Sequence, residues 1–187
     1  MKKIETVSLI GLGAVGAAYG SKLHELLKDS FQVVASKDRI QRYENSGISV
    51  NGQNYHFHYS TPETRMDPVD LVIFSVKNDD LTQAIQDIQH HIGPDTIILS
   101  LLNGISSEDK IKSACESQHI LYSVCVEIDA VRQQNETNSV RLAGLNLAKG
   151  IVLNQRMCWQ YRIYLKEQES PTKFPRTFYI PCGGNSW

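Results

Sequence analysis

The chain has 187 residues, 41% of them hydrophobic, and 19 lysines and arginines stand against 20 aspartates and glutamates for a net charge of −1. That length holds one domain of about 100–150 residues plus an appendage. The near-neutral balance gives no electrostatic case for nucleic acid or an anionic membrane as partner, and no apolar run approaches the ~20 residues of a membrane span.

Met1-Lys2-Lys3 before apolar residues imitates a signal peptide, but Glu5 interrupts the run and no small-x-small cleavage site follows. Val7 to Ile10 is an apolar strand that runs into Gly11, Gly13 and Gly16, a G-x-G-x-x-G loop, and then into a helix. Gly11 permits a tight turn at the strand end, Gly13 a close approach of backbone N–H groups to a pyrophosphate, and Gly16 close packing of helix on strand. The helix N-terminus adds unpaired donors and partial positive charge. Val15, Tyr19, Leu23, Leu26 and Leu27 give that helix one apolar face.

Phe31 to Ala35 reads as the second strand and Asp38 to Ser46 as a polar helix ending at Gly47. Ile48 to Tyr59 alternates around Asn51-Gly52, a hairpin turn dipeptide. Asp70 to Val76 is a near-continuous apolar run, as in a strand covered on both faces. Leu81, Ala84, Ile85 and Ile88 mark a helix stopped by Gly93-Pro94, and Thr96 to Leu102 is another buried strand. Ser106 and Asp109 have capping-box spacing at the start of a further helix, and His119 to Ile128 reads as one more strand. Strands alternating with helices imply a doubly wound, Rossmann-like α/β fold with a parallel sheet. The domain is placed at residues 1–144. The period is lost from about Asn138, and residues 145–187 read as an irregular tail: they hold seven of the fifteen aromatics together with Pro171, Pro175 and Pro181.

Four cysteines (Cys115, Cys125, Cys158, Cys182) show neither C-x-x-C nor zinc spacing, which suits reduced thiols in the cytoplasm. The Asn135 sequon then carries no glycosylation. No metal site is assigned: His56 and His58 fall on one strand face without a third ligand, and His90-His91 sits at a helix end, where imidazole suits the dipole.

In dinucleotide sites that take the unphosphorylated ribose, an acid stands at the end of the second strand. Here Ala35 and Ser36 occupy that place, followed by Lys37, Asp38 and Arg39. Small residues backed by two cations suit a 2′-phosphate, so NADP(H) is favoured over NAD. Lys77 and Asn103 each follow a buried strand and therefore emerge on the same rim as the glycine loop. Lysine can bond ribose or phosphate oxygens; asparagine can orient a carboxamide or a substrate hydroxyl.

Together, Gly11 to Gly16, Ser75 to Lys77, Leu101 to Ile105 and Ile128 to Arg132 resemble the N-terminal NADP-binding domain of the ketopantoate reductase family (2-dehydropantoate 2-reductases) over about residues 4–136. The resemblance implies that Gly11, Leu12, Gly13, Ala14, Val15 and Gly16 hold the pyrophosphate, with Lys77 and Asn103 on the nicotinamide side and Asn103 also reaching substrate. It implies NADPH-dependent reduction of a small 2-keto acid, 2-dehydropantoate, to pantoate, in pantothenate and coenzyme A synthesis. The family continues into a helical second domain that carries its catalytic lysine. About fifty residues remain here without that pattern, and Lys149, Lys166 and Lys173 match no motif, so no catalytic residue is assigned. The expectation is a truncated chain, weakly active or inactive, whose uncovered apolar surface favours homo-oligomers. The alternatives are a non-catalytic NADP-binding module, a fragment of another Rossmann-type dehydrogenase, and a degraded product without function.

Overall fold

The computed structural model describes residues 2–102, 106–115, 119–125, 128–133, 136–142, 145–148, 160–163 and 178–180. In chain order these form β1 (Lys2–Ile4), β2 (Val7–Ile10), α1 (Ala14–Leu27), β3 (Phe31–Val34), α2 (Lys37–Ser46), β4 (Ile48–Val50), β5 (Gln53–Tyr55), β6 (His58–Ser60) and β7 (Leu71–Phe74). They continue as α3 (Leu81–Asp87), β8 (Ile97–Ser100), α4 (Ser106–Ala114), β9 (His119–Cys125), β10 (Ile128–Gln133), β11 (Glu136–Leu142), β12 (Leu145–Ala148), β13 (Gln160–Ile163) and β14 (Phe178–Ile180).

The main sheet has the order β13-β12-β9-β8-β7-β2-β3-β6. Its six strands from β9 to β6 are mutually parallel, while β12 and β13 add antiparallel to β9. Side chains alternate between two cores because successive strand residues face opposite ways. Leu9, Phe31, Val33, Leu71, Ile73, Ile97 and Leu99 pack on one face with Ala17, Tyr19 and Leu23 of α1. Val72, Phe74 and Ile98 pack on the other with Leu81, Ala84, Ile85 and Ile88 of the α3 region and Ile111 of α4. Chain order reverses between β2 and β7, which makes the gap beyond their carboxyl ends the switch point where such sheets take ligands.

The amino end of that strand pair is lashed by one carboxylate. Asp70 Oδ2 accepts from the backbone N–H groups of Glu5 and Thr6 at 2.9 and 3.1 Å, and the Thr6 hydroxyl accepts from Asp70 N–H at 3.0 Å. The two bonds to the carboxylate are charge-assisted, and the three together fix β2 against β7 at one end and so set their register at the other.

Several sequence expectations change in the folded chain. The hairpin around Asn51-Gly52 forms, with φ of 52° and 75°, but it ends at Tyr55; β6 leaves it to pair with β3 in the main sheet. The strand expected over His119–Ile128 splits, with β9 in the main sheet and β10 in a second sheet of order β10-β11-β4-β5. Period loss near Asn138 does not end the structure: β11 runs to Leu142, paired antiparallel with β10 and parallel with β4. Three short strands, β12, β13 and β14, fall within residues 145–187, and β14 pairs with β1. The second sheet touches α1 through β4, β10 and β11, so α1 is held from two sides. Among the described residues no helix is long and apolar enough to cross a membrane.

His91 is a buried core residue rather than a cation at a helix end. It is fully enclosed, and burial, aided by the neighbouring His90, lowers its pKa to about 4. Gln32 Nε2 donates to Ser8 Oγ at 3.2 Å, which leaves the Ser8 hydroxyl to donate to His91 Nδ1 at 2.9 Å. That bond is available only to the neutral ring. The unfolded chain therefore takes up a proton near pH 6.5 and the folded chain only near pH 4. The stability is complete above pH 6.5 and falls as the pH drops, by about 2 kcal/mol at pH 5. Urea unfolding of wild type and His91→Asn at pH 7.5 and 5 checks this: the wild type should lose more stability than the variant, and equal losses contradict it.

Candidate dinucleotide site

The site is built where β2 ends. Gly11 has φ +99°, a conformation that side chains rarely adopt. A Cβ there would press on the Ser75 carbonyl, 2.7 Å from its carbon, and lie 2.8 Å from Val76 Cγ1. Ser75 N–H in turn donates to the Ile10 carbonyl at 2.8 Å. A Cβ on Gly16 would overlap the Gly11 carbonyl oxygen and stand 3.0 Å from Ser75 Oγ. Two glycines thus let the loop after β2, the start of α1 and the loop after β7 close on one another without side chains between.

Gly13 is different. It is exposed, and a Cβ added to it meets nothing within 4 Å, so the protein has no packing reason for glycine there. It is the N-cap of α1 and has no side-chain cap. The first bond within the helix runs from Ala17 N–H to the Gly13 carbonyl at 2.9 Å. The N–H groups of Gly13, Ala14, Val15 and Gly16 therefore have no acceptor inside the helix. No acid stands in the first turn, so no carboxylate of that turn competes for the dipole that favours an anion. Among the described residues, an open position at Gly13, helix-end donors without an intrahelical acceptor and a first turn without an acid fit a diphosphate.

The other expected residues differ in burial and position. The side chain of Leu12 is buried in the core, so Leu12 belongs to the loop by its backbone, whereas Ala14 and Val15 are half-buried. Lys77 is exposed at the mouth of the switch point, capping the short turn Asn78–Asp80. Lys37 and Arg39 are exposed in the first turn of α2, after the buried Ala35 and the N-cap Ser36. Asn103 lies outside the described residues.

A long-range neighbour was not foreseen. Ala35 N–H donates to the Ser60 carbonyl at 3.0 Å, which brings the turn after β6 beside the end of β3. The Glu63 carboxyl there is held below the usual carboxylate range by the Thr61 hydroxyl, by its own backbone and, to a lesser degree, by Lys37. Only the pairing of β6 with β3 places these groups together, and a three-residue edge strand carries little sequence signal. His56 and His58 are both exposed, but only His58 lies in β6, with Nε2 3.0 Å from Asp29 Oδ1. Among the described residues no three candidate ligands come together to hold a metal.

Comparison with known proteins identifies the family and the fold. The family model for ketopantoate reductase PanE/ApbA matches residues 7–149. A 2-dehydropantoate 2-reductase of Streptococcus pyogenes is 27% identical over 164 residues, which cover 86% of this chain and 53% of that protein. The chain thus spans about half the length of this curated relative. A dimeric ketopantoate reductase from Staphylococcus aureus superposes with a TM-score of 0.60 at 19% identity, over 79% of this chain and 52% of that one. A D-mandelate dehydrogenase solved with NADH and anilino(oxo)acetate gives 0.60 at 24% identity, over 73% and 45%. These two likenesses establish the fold.

The glycines make separable predictions. Gly11→Ala and Gly16→Ala should destabilise the fold by at least ~2 kcal/mol, through strain and backbone overlap. Gly13→Ala should leave the melting temperature within a few degrees but weaken dinucleotide binding about tenfold or more, because its methyl enters the cradle. Thermal melts paired with dinucleotide titration check both; a Gly13→Ala protein that binds normally contradicts the cradle.

Proposed function

The chain belongs to the ketopantoate reductase PanE/ApbA family, and we propose that it forms the dinucleotide-binding half of an NADPH-dependent reductase acting on a small 2-keto acid, 2-dehydropantoate in the first instance. The observation that carries this reading is the open cradle at Gly13, whose glycine has no role in packing. When bound, NADPH would supply the hydride for the keto carbon. The chain's own part is binding and orientation: the α1 N–H groups on the diphosphate, Lys77 beyond the switch point, and Asn103 on the nicotinamide and substrate side. Positioning of this kind accounts for a large share of catalysis in hydride transfer. No proton donor is assigned, so the chain alone should bind cofactor while turning over slowly or not at all. A cytoplasmic site and self-association complete the reading.

The choice of NADPH over NADH rests on Lys37 and Arg39 at the exposed start of α2. The absence of an acid at Ala35 and Ser36 leaves room for a 2′-phosphate, and the carboxyl of Glu63, near Lys37, moderates that preference.

Titration of the 187-residue chain with NADPH, followed by nicotinamide fluorescence, should give a Kd on the order of micromolar. Adding 2-dehydropantoate should then cause little loss of absorbance. Absence of binding in folded protein contradicts the reading; binding with brisk oxidation contradicts only the expected slow turnover. The double variant Lys37→Ala/Arg39→Ala should weaken NADPH about tenfold and NADH less than twofold, and equal losses would point to a role other than holding the 2′-phosphate.

A further inference from the structure

We propose that Glu63 is a specificity-determining residue that accepts from the adenosine ribose hydroxyls of the unphosphorylated cofactor, so that the site takes NADH as well as NADPH, an inference that rests on the dinucleotide reading above. In sites for the unphosphorylated ribose, a carboxylate at the end of the second strand accepts from the 2′-hydroxyl. Ala35 and Ser36 hold that place here and carry no charge. The fold brings a carboxylate to the same rim by another route. Strand β6 pairs in parallel with β3, with Val34 opposite Ser60, and Ala35 N–H donates to the Ser60 carbonyl at 3.0 Å. Thr61 therefore leaves the sheet beside the end of β3, where Ser36 caps α2.

The chain then turns at once. Thr64 N–H donates to the Thr61 carbonyl at 3.0 Å, which closes a four-residue turn with Pro62 and Glu63 at its two corners. Proline suits the first corner because its ring fixes φ. Thr61 N–H reaches the Thr64 hydroxyl oxygen at 3.3 Å, and the two threonine hydroxyl oxygens stand 3.2 Å apart. A turn tied in these three ways holds its corners in place, and Glu63 is presented there exposed. Its carboxyl is held below the usual carboxylate range by the Thr61 hydroxyl, by its own backbone and, less strongly, by Lys37. It is therefore ionised at neutral pH, when a carboxylate can only accept. Opposite charges, on Lys37 and Glu63, thus lie near each other beside the end of β3, and the two cofactors divide between them. A 2′-phosphate gains from the cations and is repelled by Glu63. A 2′-hydroxyl donates to the Glu63 carboxylate in a charge-assisted bond.

NADPH and NADH, titrated separately into the full chain and followed by nicotinamide fluorescence, test this in wild type and Glu63→Gln. The substitution keeps the side-chain length and removes the charge. It should weaken NADH about threefold and tighten NADPH about threefold, the scale of an exposed charge contact, so the preference for NADPH rises about tenfold. A residue that served only the turn would move both ligands in one direction. Changes of the same sign, no change in either ligand, or tighter NADPH with NADH unmoved overturn the proposal and leave the dinucleotide reading intact. Wild-type protein that binds NADPH with no detectable affinity for NADH does the same. Folded wild-type protein that binds neither cofactor overturns both.

Discussion

Three stretches of backbone meet where the first parallel strand ends, and the rest of the site depends on how closely they approach. Gly11 at φ +99° rests on the Ser75 carbonyl, and Gly16 rests on the Gly11 carbonyl. No side chain fits in either gap. This contact places the N-terminus of α1 directly over the switch point between β2 and β7, with its N–H groups directed at the cleft. The proposed anion site is therefore a consequence of backbone geometry, and no charged side chain is needed to create it.

The remaining structure keeps that junction rigid. Asp70 ties the opposite ends of β2 and β7 together, so their carboxyl ends cannot slide past each other. The second sheet also packs against α1, with Ile48 and Val50 joining the core that α1 covers. A helix packed on two sheets has little freedom to tilt its N-terminus away from the cleft. The same logic extends one strand further, where the buried hydroxyls and carboxylate at the end of β8 secure the start of α4. Preorganised donors at a cofactor's edge are worth most when they need not move on binding.

How much of this the sequence discloses follows from how local each cause is. Gly11, Gly13 and Gly16 are legible because a strand, a turn and a helix within ten residues dictate glycine for separate reasons. The apolar runs of β7 and β8 are legible because both of their faces are covered. By contrast, β6 has three residues and joins the sheet only by pairing with β3, so Ala35 and Thr61 give no sign of being neighbours. The path of β11 through Thr137 and Asn138 depends on partners far away in β4 and β10. His91 and Glu108 look like surface residues in a polar stretch; only the fold encloses them. Lys37, Arg39 and Lys77 lie between these cases, since sequence puts them after strand ends on one rim and the fold leaves their side chains exposed.

The central claim is that the backbone donors at the start of α1 hold a diphosphate. Amide chemical-shift mapping with isotopically labelled protein tests it at the atoms concerned. On addition of NADPH, the signals of Gly13, Ala14, Val15 and Gly16 should move most and downfield, as hydrogen bonds to phosphate oxygens form, while those of buried β2 stay nearly fixed. Shifts concentrated elsewhere, with these four amides unmoved at saturating NADPH, would contradict the account.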